Sequence, residues 1–463
     1  MVDNTFFWNL IKDKGQQVAL STVEEEISYA QLDEAAKNIT NGVPTRSFVF
    51  LVCKNCIASV AGYIGFLQKR IVPVLLNSSI DKTLFEELYK HYLPQYIWCP
   101  EGFFEGKVIY TYEGYSLIST GSEAPEMDDE LAIMLTTSGS TGSPKFVRQT
   151  YRNIQANTAS IVEYLGILKE DRAITTLPMS YTYGLSIVQS HLMAGAGIIL
   201  TEQTFFDRGF WNFFREKGAT TFGAVPYTYQ MLDRLRFLRM NLPSLRYITQ
   251  AGGRLGEELH YKFASGMREQ GKALIVMYGA TEATARMSYV PADRAVEKTG
   301  SIGIPIPGGR FELIDVDGSV ITETDKVGEL VYYGDNVTLG YAVNRSDLAK
   351  GDERYGRLET GDMAKRDGDG YYYVVGRKKR FLKIFGNRVN LVEIEELLSK
   401  AGYEAACIGE DDHMRIYTTS KDTSGVVDFI SEKTGLNRAA FTAIYIDKIP
   451  HNDSGKVMYS ELK

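Results

Sequence analysis

Short runs of Val, Ile, Leu and aromatic residues alternate with longer stretches of helical period along the first part of the chain. The runs at 47–52, 71–76 and 96–99 predict buried strands, and the stretches at 57–68 and 82–91 predict helices between them. The alternation continues with strands at 131–135, 172–177, 198–201, 220–224, 245–250 and 273–278. Helices are predicted at 151–165, 184–193, 210–216, 227–238 and 257–270. Strands separated by helices imply right-handed crossovers, and therefore a largely parallel sheet covered on both faces. Past residue 300 the pattern changes. Gly- and Asp-rich turns separate short runs at 310–314, 328–333, 362–366 and 371–375, which predicts a small antiparallel sheet or barrel-like part. From 379 onward a separate apolar pattern, with strands at 381–384, 415–419 and 441–446 and helices at 391–401 and 426–434, predicts a small α+β domain. The expected organisation is an α/β N-terminal domain over 1–378 and a C-terminal domain over 379–463.

Composition removes several functional classes. With 51 Lys+Arg against 58 Asp+Glu the 463-residue chain carries a formal charge of −7, and it has no basic block to bind nucleic acid. The apolar run at 58–67 meets Gln68-Lys69-Arg70 too early to span a bilayer, and the start of the chain has no signal-peptide apolar stretch. Neither nucleic-acid binding nor membrane insertion is expected. Of the four cysteines, Cys53 and Cys56 have C-x-x-C spacing, but no second pair lies near to complete a zinc site. Strand-to-helix packing in a reducing cytoplasm is the expected reading.

Three Gly-containing segments follow predicted strands. The first is Leu135-Thr136-Thr137-Ser138-Gly139-Ser140-Thr141-Gly142-Ser143-Pro144-Lys145. Glycines let consecutive N–H groups point at phosphate oxygens, hydroxyls add donors and Lys145 adds a point charge. It is not a Walker A loop, because Pro144 stands before the lysine and Phe146 after it. On its residues alone it reads equally well as a plain surface loop. The second, Gln250-Ala251-Gly252-Gly253-Arg254-Leu255, reads either as a close approach to a ligand or as a tight strand-to-helix turn. The third, Tyr278-Gly279-Ala280-Thr281-Glu282-Ala283, places a carboxylate where a helix start would also favour one.

These segments are followed in order by Leu358-Glu359-Thr360-Gly361-Asp362, by the run Gly376–Asn387 containing Arg377, Lys379, Lys383 and Gly386, and by Ile449-Pro450-His451-Asn452-Asp453-Ser454-Gly455-Lys456. Together they resemble the signature motifs of the adenylate-forming superfamily. That superfamily includes acyl- and aryl-CoA synthetases, luciferase-like enzymes and the adenylation domains of peptide synthetases. The resemblance covers about 131 to 463. It implies ATP-dependent activation of an aryl or aliphatic carboxylic acid to an acyl-adenylate. Transfer to a thiol of CoA or of a carrier protein's phosphopantetheine follows. By resemblance, Thr137, Ser138, Gly139, Ser140, Thr141, Gly142 and Lys145 cradle phosphates, Gly252 and Gly253 border the adenine, and Tyr278 packs on it. Thr281 donates to the α-phosphate, Glu282 holds Mg²⁺, Asp362 accepts from the ribose hydroxyls and Arg377 reaches the nucleotide. Lys379 stands at the hinge of a mobile C-terminal domain, Lys383 and Gly386 on its thioester-forming face, and Lys456 at the position of the adenylating lysine.

The acyl pocket implied in this way is lined by Tyr181, Tyr183, Val225, Ala251, Gly252, Gly279 and Met287. Tyr181 stands where many acyl and aryl members carry His, and Tyr459 where an Arg is common. No Asp occurs between Pro178 and Ile187, which disfavours an α-amino acid. Two other readings are a non-catalytic nucleotide-binding module on the same fold and an adenylating enzyme that passes its acyl group to an amine.

Overall fold

The structure is a computed structural model that describes residues 6–136, 145–385, 387–451 and 457–462. The side chains of Lys379, Phe381, Lys383, Asn387, Arg388 and Asn390 also lie outside the described set. Packing divides the chain into two compact units, Met1–Arg310 with Tyr332–Leu358, and Phe311–Val331 with Glu359–Lys463.

The first unit is built on two sheets. In the nine-stranded sheet six strands run parallel: Val18–Ser21, Gly197–Ile199, Arg172–Ile174, Thr221–Ala224, Tyr247–Gln250 and Ala273–Tyr278. Antiparallel strands extend it at both sides, Glu26–Ser28 at one and Ser288–Tyr289 with Ile304–Pro305 at the other. The eight-stranded sheet has a parallel centre, Leu131–Thr136, Val72–Asn77, Phe48–Cys53 and Tyr96–Pro100. Helices Ile57–Gln68 and Thr182–Ala194 are buried almost all round, which accounts for their nearly unbroken apolar or small-residue surfaces. One core cluster takes side chains from both helices and from strands of both sheets. Close approach is bought with glycine at Gly62, where a Cβ would stand 2.6 Å from Trp98 Nε1. The Trp98 indole donates to the Ala58 carbonyl at 2.9 Å.

The expected parallel α/β architecture is present. Strands and helices that the apolar pattern did not mark include Val18–Ser21 with Glu26–Ser28, and helix Tyr29–Ile39, which begins at a Ser28–Gln31 capping box. The helix expected at 227–238 runs Pro226–Arg234 instead. Pro226 starts it, and Arg236, at φ +55°, breaks its continuation into a short 3₁₀ turn.

The second unit is built largely on a four-stranded sheet, Arg310–Ile314, Gly328–Tyr333, Arg357–Arg366 and Tyr372–Arg377, and on a small α+β body. That body has a hairpin, Phe381–Ile384 with Asn387–Asn390, and a three-stranded sheet, Ala405–Glu410, His413–Thr418 and Phe441–Tyr445. Helices Leu391–Lys400 and Thr423–Thr434 help form its core. Among the described residues, no helix is long and apolar enough to cross a membrane.

Candidate active site

Strands Thr221–Ala224, Tyr247–Gln250 and Ala273–Tyr278 are adjacent and parallel, with Ala224 opposite Gln250 and Gln250 opposite Val276. Their carboxyl ends therefore open side by side, the usual place for a ligand in an α/β sheet. This arrangement brings Val225, the turn Ala251-Gly252-Gly253 and the segment from Tyr278 to Glu282 into one neighbourhood.

Gly252 has φ +85°, and a Cβ there would stand 2.6 Å from the Tyr181 hydroxyl and 3.1 Å from Val225 Cγ1. Tyr181, Val225 and Gly252 thus share one wall. A Cβ on Gly253 would lie 3.2 Å from Pro226. The rings of Tyr181 and Tyr183 meet edge to face at 6.3 Å. Tyr183 is buried, with its hydroxyl 2.7 Å from Thr249 Oγ1. Met287 is fully buried behind the strand end, and its N–H donates to the Tyr278 carbonyl at 2.9 Å. Gly279 is pressed on backbone, since a Cβ there would stand 1.9 Å from the Ala285 carbonyl oxygen.

After Tyr278 the chain makes a 3₁₀ turn at Thr281–Ala283, and Thr284 then takes φ +64°, ψ −59°. The Ala285 N–H donates to the Ala283 carbonyl at 2.7 Å, closing a γ-turn of the strained hand around a β-branched residue. Polar side chains hold this conformation. Asn336 Nδ2 donates to the carbonyls of Ala283 (2.9 Å) and Arg286 (3.0 Å). The Thr284 hydroxyl donates to the Asn336 carbonyl at 2.7 Å. The Thr284 carbonyl accepts from Gln149 Nε2 at 3.3 Å and from the Thr182 hydroxyl. Asn157 bonds both the N–H and the carbonyl of Arg286. Strain held by surrounding bonds is a recurrent feature of functional turns.

That turn carries Glu282, which is half-buried, and Thr281, which is buried. One carboxylate oxygen of Glu282 accepts from the Tyr341 hydroxyl at 2.6 Å. Its main-chain carbonyl accepts from Thr338 Oγ1 (2.9 Å) and Arg354 Nη1 (3.1 Å). Burial, reinforced by the hydrogen bond to Glu282, pushes the Tyr341 phenol up to about 12, so it stays a donor at neutral pH. Lys145 Nζ lies 3.2 Å from the Tyr341 ring centre and the Arg354 guanidinium 4.7 Å from it. Two cations and one oriented carboxylate therefore converge on a single tyrosine. Tyr341 is there because strand Gly340–Ala342 pairs with Phe146–Thr150, Tyr341 opposite Val147. Phe146 in turn pairs with Thr136, so Lys145 lies at the end of that antiparallel strand pair. Residues Thr137, Ser138, Gly139, Ser140, Thr141 and Gly142 themselves lie outside the described residues. Tyr341, Arg354, Thr338 and Asn336 carry no local signal in the sequence; only long-range strand pairing and loop packing reveal them.

Among the described residues, no three His, Cys, Asp or Glu side chains group to hold a metal ion. A single carboxylate suits Mg²⁺ that arrives with phosphate oxygens and keeps much of its water, so Glu282 fits a nucleotide-borne Mg²⁺.

In the second unit, Asp362 and Arg377 are opposite each other across a strand pair and form an ion pair at 2.8 Å. Asp362 is buried and Arg377 exposed. Tyr459 donates to Glu395 at 3.1 Å beneath the Arg380 guanidinium, 3.8 Å from its ring centre. Lys456, Gly386 and the side chains of Lys379 and Lys383 lie outside the described residues.

A family profile described as "AMP-binding enzyme" matches residues 7–342. The chain is 27% identical over 472 residues to 2-succinylbenzoate–CoA ligase of Bacillus cereus (strain Q1), covering 96% of this chain and 95% of that one. Among solved structures, it resembles O-succinylbenzoate coenzyme A synthetase from Bacillus subtilis in complex with AMP. The TM-score is 0.79 at 24% identity, with 99% of this chain and 98% of that one covered. The same Bacillus subtilis protein in complex with ATP and magnesium ion gives a TM-score of 0.77 at 22% identity, with 98% of each chain covered. These structural likenesses establish the fold.

Proposed function

The chain belongs to the AMP-binding enzyme family, and we propose that it is an AMP-forming ligase that couples a carboxylic acid to the α-phosphate of ATP, releases pyrophosphate, and passes the acyl group to the thiol of coenzyme A. The observation that carries this reading is the Glu282 carboxylate, oriented by Tyr341 on a strained, cross-linked turn between Lys145 and Arg354.

The chemistry requires two anions to meet. Alignment of the acid with the α-phosphate supplies about 7–11 kcal/mol of the barrier reduction, and each oriented donor onto developing charge about 3–4 kcal/mol. Glu282 is assigned to hold Mg²⁺, which when bound neutralises phosphate charge. Thr281 donates to the α-phosphate, Tyr278 packs on adenine beside Gly252 and Gly253, and Lys145 with the segment 137–142 receives the β- and γ-phosphates. Asp362 and Arg377 take the ribose side. Lys456 bridges carboxylate and phosphate during adenylation. A rotation about Lys379 then replaces it with the face around Lys383 and Gly386 for thioester formation. The acid lies against Tyr181, Tyr183, Val225, Ala251, Gly279 and Met287. These residue assignments rest on motif resemblance together with the strand-end geometry.

The relatives named as CoA ligases support coenzyme A as the acceptor, and a carrier protein's phosphopantetheine is the competing one. The described cysteines are all free thiols, which supports the cytoplasm as its location. ATP–pyrophosphate exchange over a panel of acids, followed by transfer to coenzyme A or to a purified carrier protein, tests the reading. Exchange with at least one acid is expected, and its absence across the panel would favour a non-catalytic nucleotide-binding module. Lys456→Ala is expected to abolish exchange while sparing thioester formation from supplied acyl-AMP.

A further inference from the structure

Arg286 lies two residues beyond the strained Thr284, and its side chain is only 2% exposed. Nε and Nη2 lie 3.2 and 3.0 Å from Ser186 Oγ. Nη1 lies 3.1 Å from the Tyr164 hydroxyl and 3.0 Å from Met277 Sδ. The guanidinium carbon stands 5.1 Å from the centre of the Tyr183 ring. Every one of these partners is uncharged. Burial pushes the phenols of both Tyr164 and Tyr183 upward, so neither supplies a phenolate counter-ion. Among the described residues no carboxylate pairs with Arg286, and a guanidinium does not shed its proton in a protein. The core therefore holds a permanent cation whose acceptors are two hydroxyls, a thioether and a ring face.

A purely structural role does not need that charge. Buried ion pairs are often matched or bettered by apolar side chains of similar volume, and an unpaired buried charge costs still more. The site is also specific. Tyr183 and Met287, expected to line the acyl pocket, are respectively under the guanidinium and next to it in the chain. Tyr181 meets the Tyr183 ring on its way to the Gly252 turn. Ser186 and Tyr164 fix the guanidinium fork, while the Met277 thioether is the weakest of its acceptors.

We propose that Arg286 is the anion-reading residue of the acyl pocket, and that the acid this enzyme activates carries a second, non-reacting carboxylate that the guanidinium receives. This rests on the ligase reading above and deepens it. The second carboxylate displaces the Met277 thioether as an acceptor of Nη1 and completes the missing ion pair. Anchored at its far end, the acid presents its other carboxylate to the α-phosphate. A monocarboxylic acid of the same length leaves the buried cation unpaired, which is the kind of penalty that gives strong discrimination.

The test uses the full chain in ATP–pyrophosphate exchange with length-matched pairs, hexanoate against adipate and benzoate against terephthalate, together with 2-succinylbenzoate. The diacid of at least one pair is expected to have the higher kcat/KM. Arg286→Met should lower kcat/KM for the diacids on the order of a hundredfold more than for their matched monoacids. Arg286→Lys should restore part of the diacid preference. A wild-type preference for monoacids, or an equal loss for both members of each pair in Arg286→Met, would overturn the inference and leave the residue as a clamp on the turn. If Arg286→Met does not fold, the wild-type ratio decides alone. Absence of exchange with every acid overturns the ligase reading instead, so the two failures are distinguishable.

Discussion

Two neighbouring strand exits frame the candidate site, and they are built on opposite principles. At Ala251-Gly252-Gly253 the backbone takes its shape from glycine: Gly252 has φ +85°, and the space a side chain would fill is occupied by Tyr181 and Val225. From Tyr278 to Arg286 the chain instead forces a threonine to φ +64° and holds it there with Asn336, Asn157, Gln149 and Thr182. The first exit is a thin wall on which Tyr181 and Val225 pack closely. The second is a braced bracket for one carboxylate. Where side chains press on the backbone a bare glycine suffices, while the turn that carries a carboxylate is cross-linked.

The largest effect that can break this contrast is at Glu282. Glu282→Gln should reduce pyrophosphate exchange roughly 10²–10³-fold with little change in urea stability, because the amide keeps the shape and loses the charge. A fall in stability of the same free energy would mean that the carboxylate is structural. Gly279→Ala comes next. Its Cβ would meet the Ala285 carbonyl, which is backbone and cannot swing aside, so a loss of about 3 kcal/mol or an insoluble protein is expected. Asn336→Ala should cost about 2 kcal/mol in urea unfolding, because the carbonyls of Ala283 and Arg286 lose a donor in a buried setting. Tyr341→Phe should leave stability nearly intact and slow exchange about tenfold, since only the orientation of Glu282 is removed. The smallest change sharpens the contrast from the other side. Gly252→Ala should cost about 1 kcal/mol for its positive φ, and Tyr181→Phe should relieve the accompanying crowding in the double variant. A double variant no better than the single would mean that Tyr181 does not face Gly252.

How these features were encoded explains what the sequence could reveal. Strand 273–278 was legible because a doubly buried strand is an unbroken apolar run, while 221–224 and 247–250, which carry Thr and Gln, were legible from their aromatic and β-branched residues and their place between helical stretches. Lys145, Gly252 and Glu282 were legible because each sits in a contiguous motif. Tyr341, Arg354 and Asn336 were not, since each reaches the site from a separate turn or short strand some 50–200 residues away from its partner. Arg286 was hidden for a different reason: an arginine between Ala285 and Met287 reads as exposed until packing places it under Tyr183. The hairpin Val18–Ser21 with Glu26–Ser28 escaped because its strands are too short for alternation to register.

The ion pair between Asp362 and Arg377 has an electrostatic corollary for any nucleotide that engages it. A carboxylate whose charge is already balanced could accept from sugar hydroxyls without pushing away the polyphosphate attached to them. The pair thus behaves toward an incoming polyanion as a dipole rather than a like charge, and replacing Arg377 by a neutral residue would turn an acceptor into a source of repulsion.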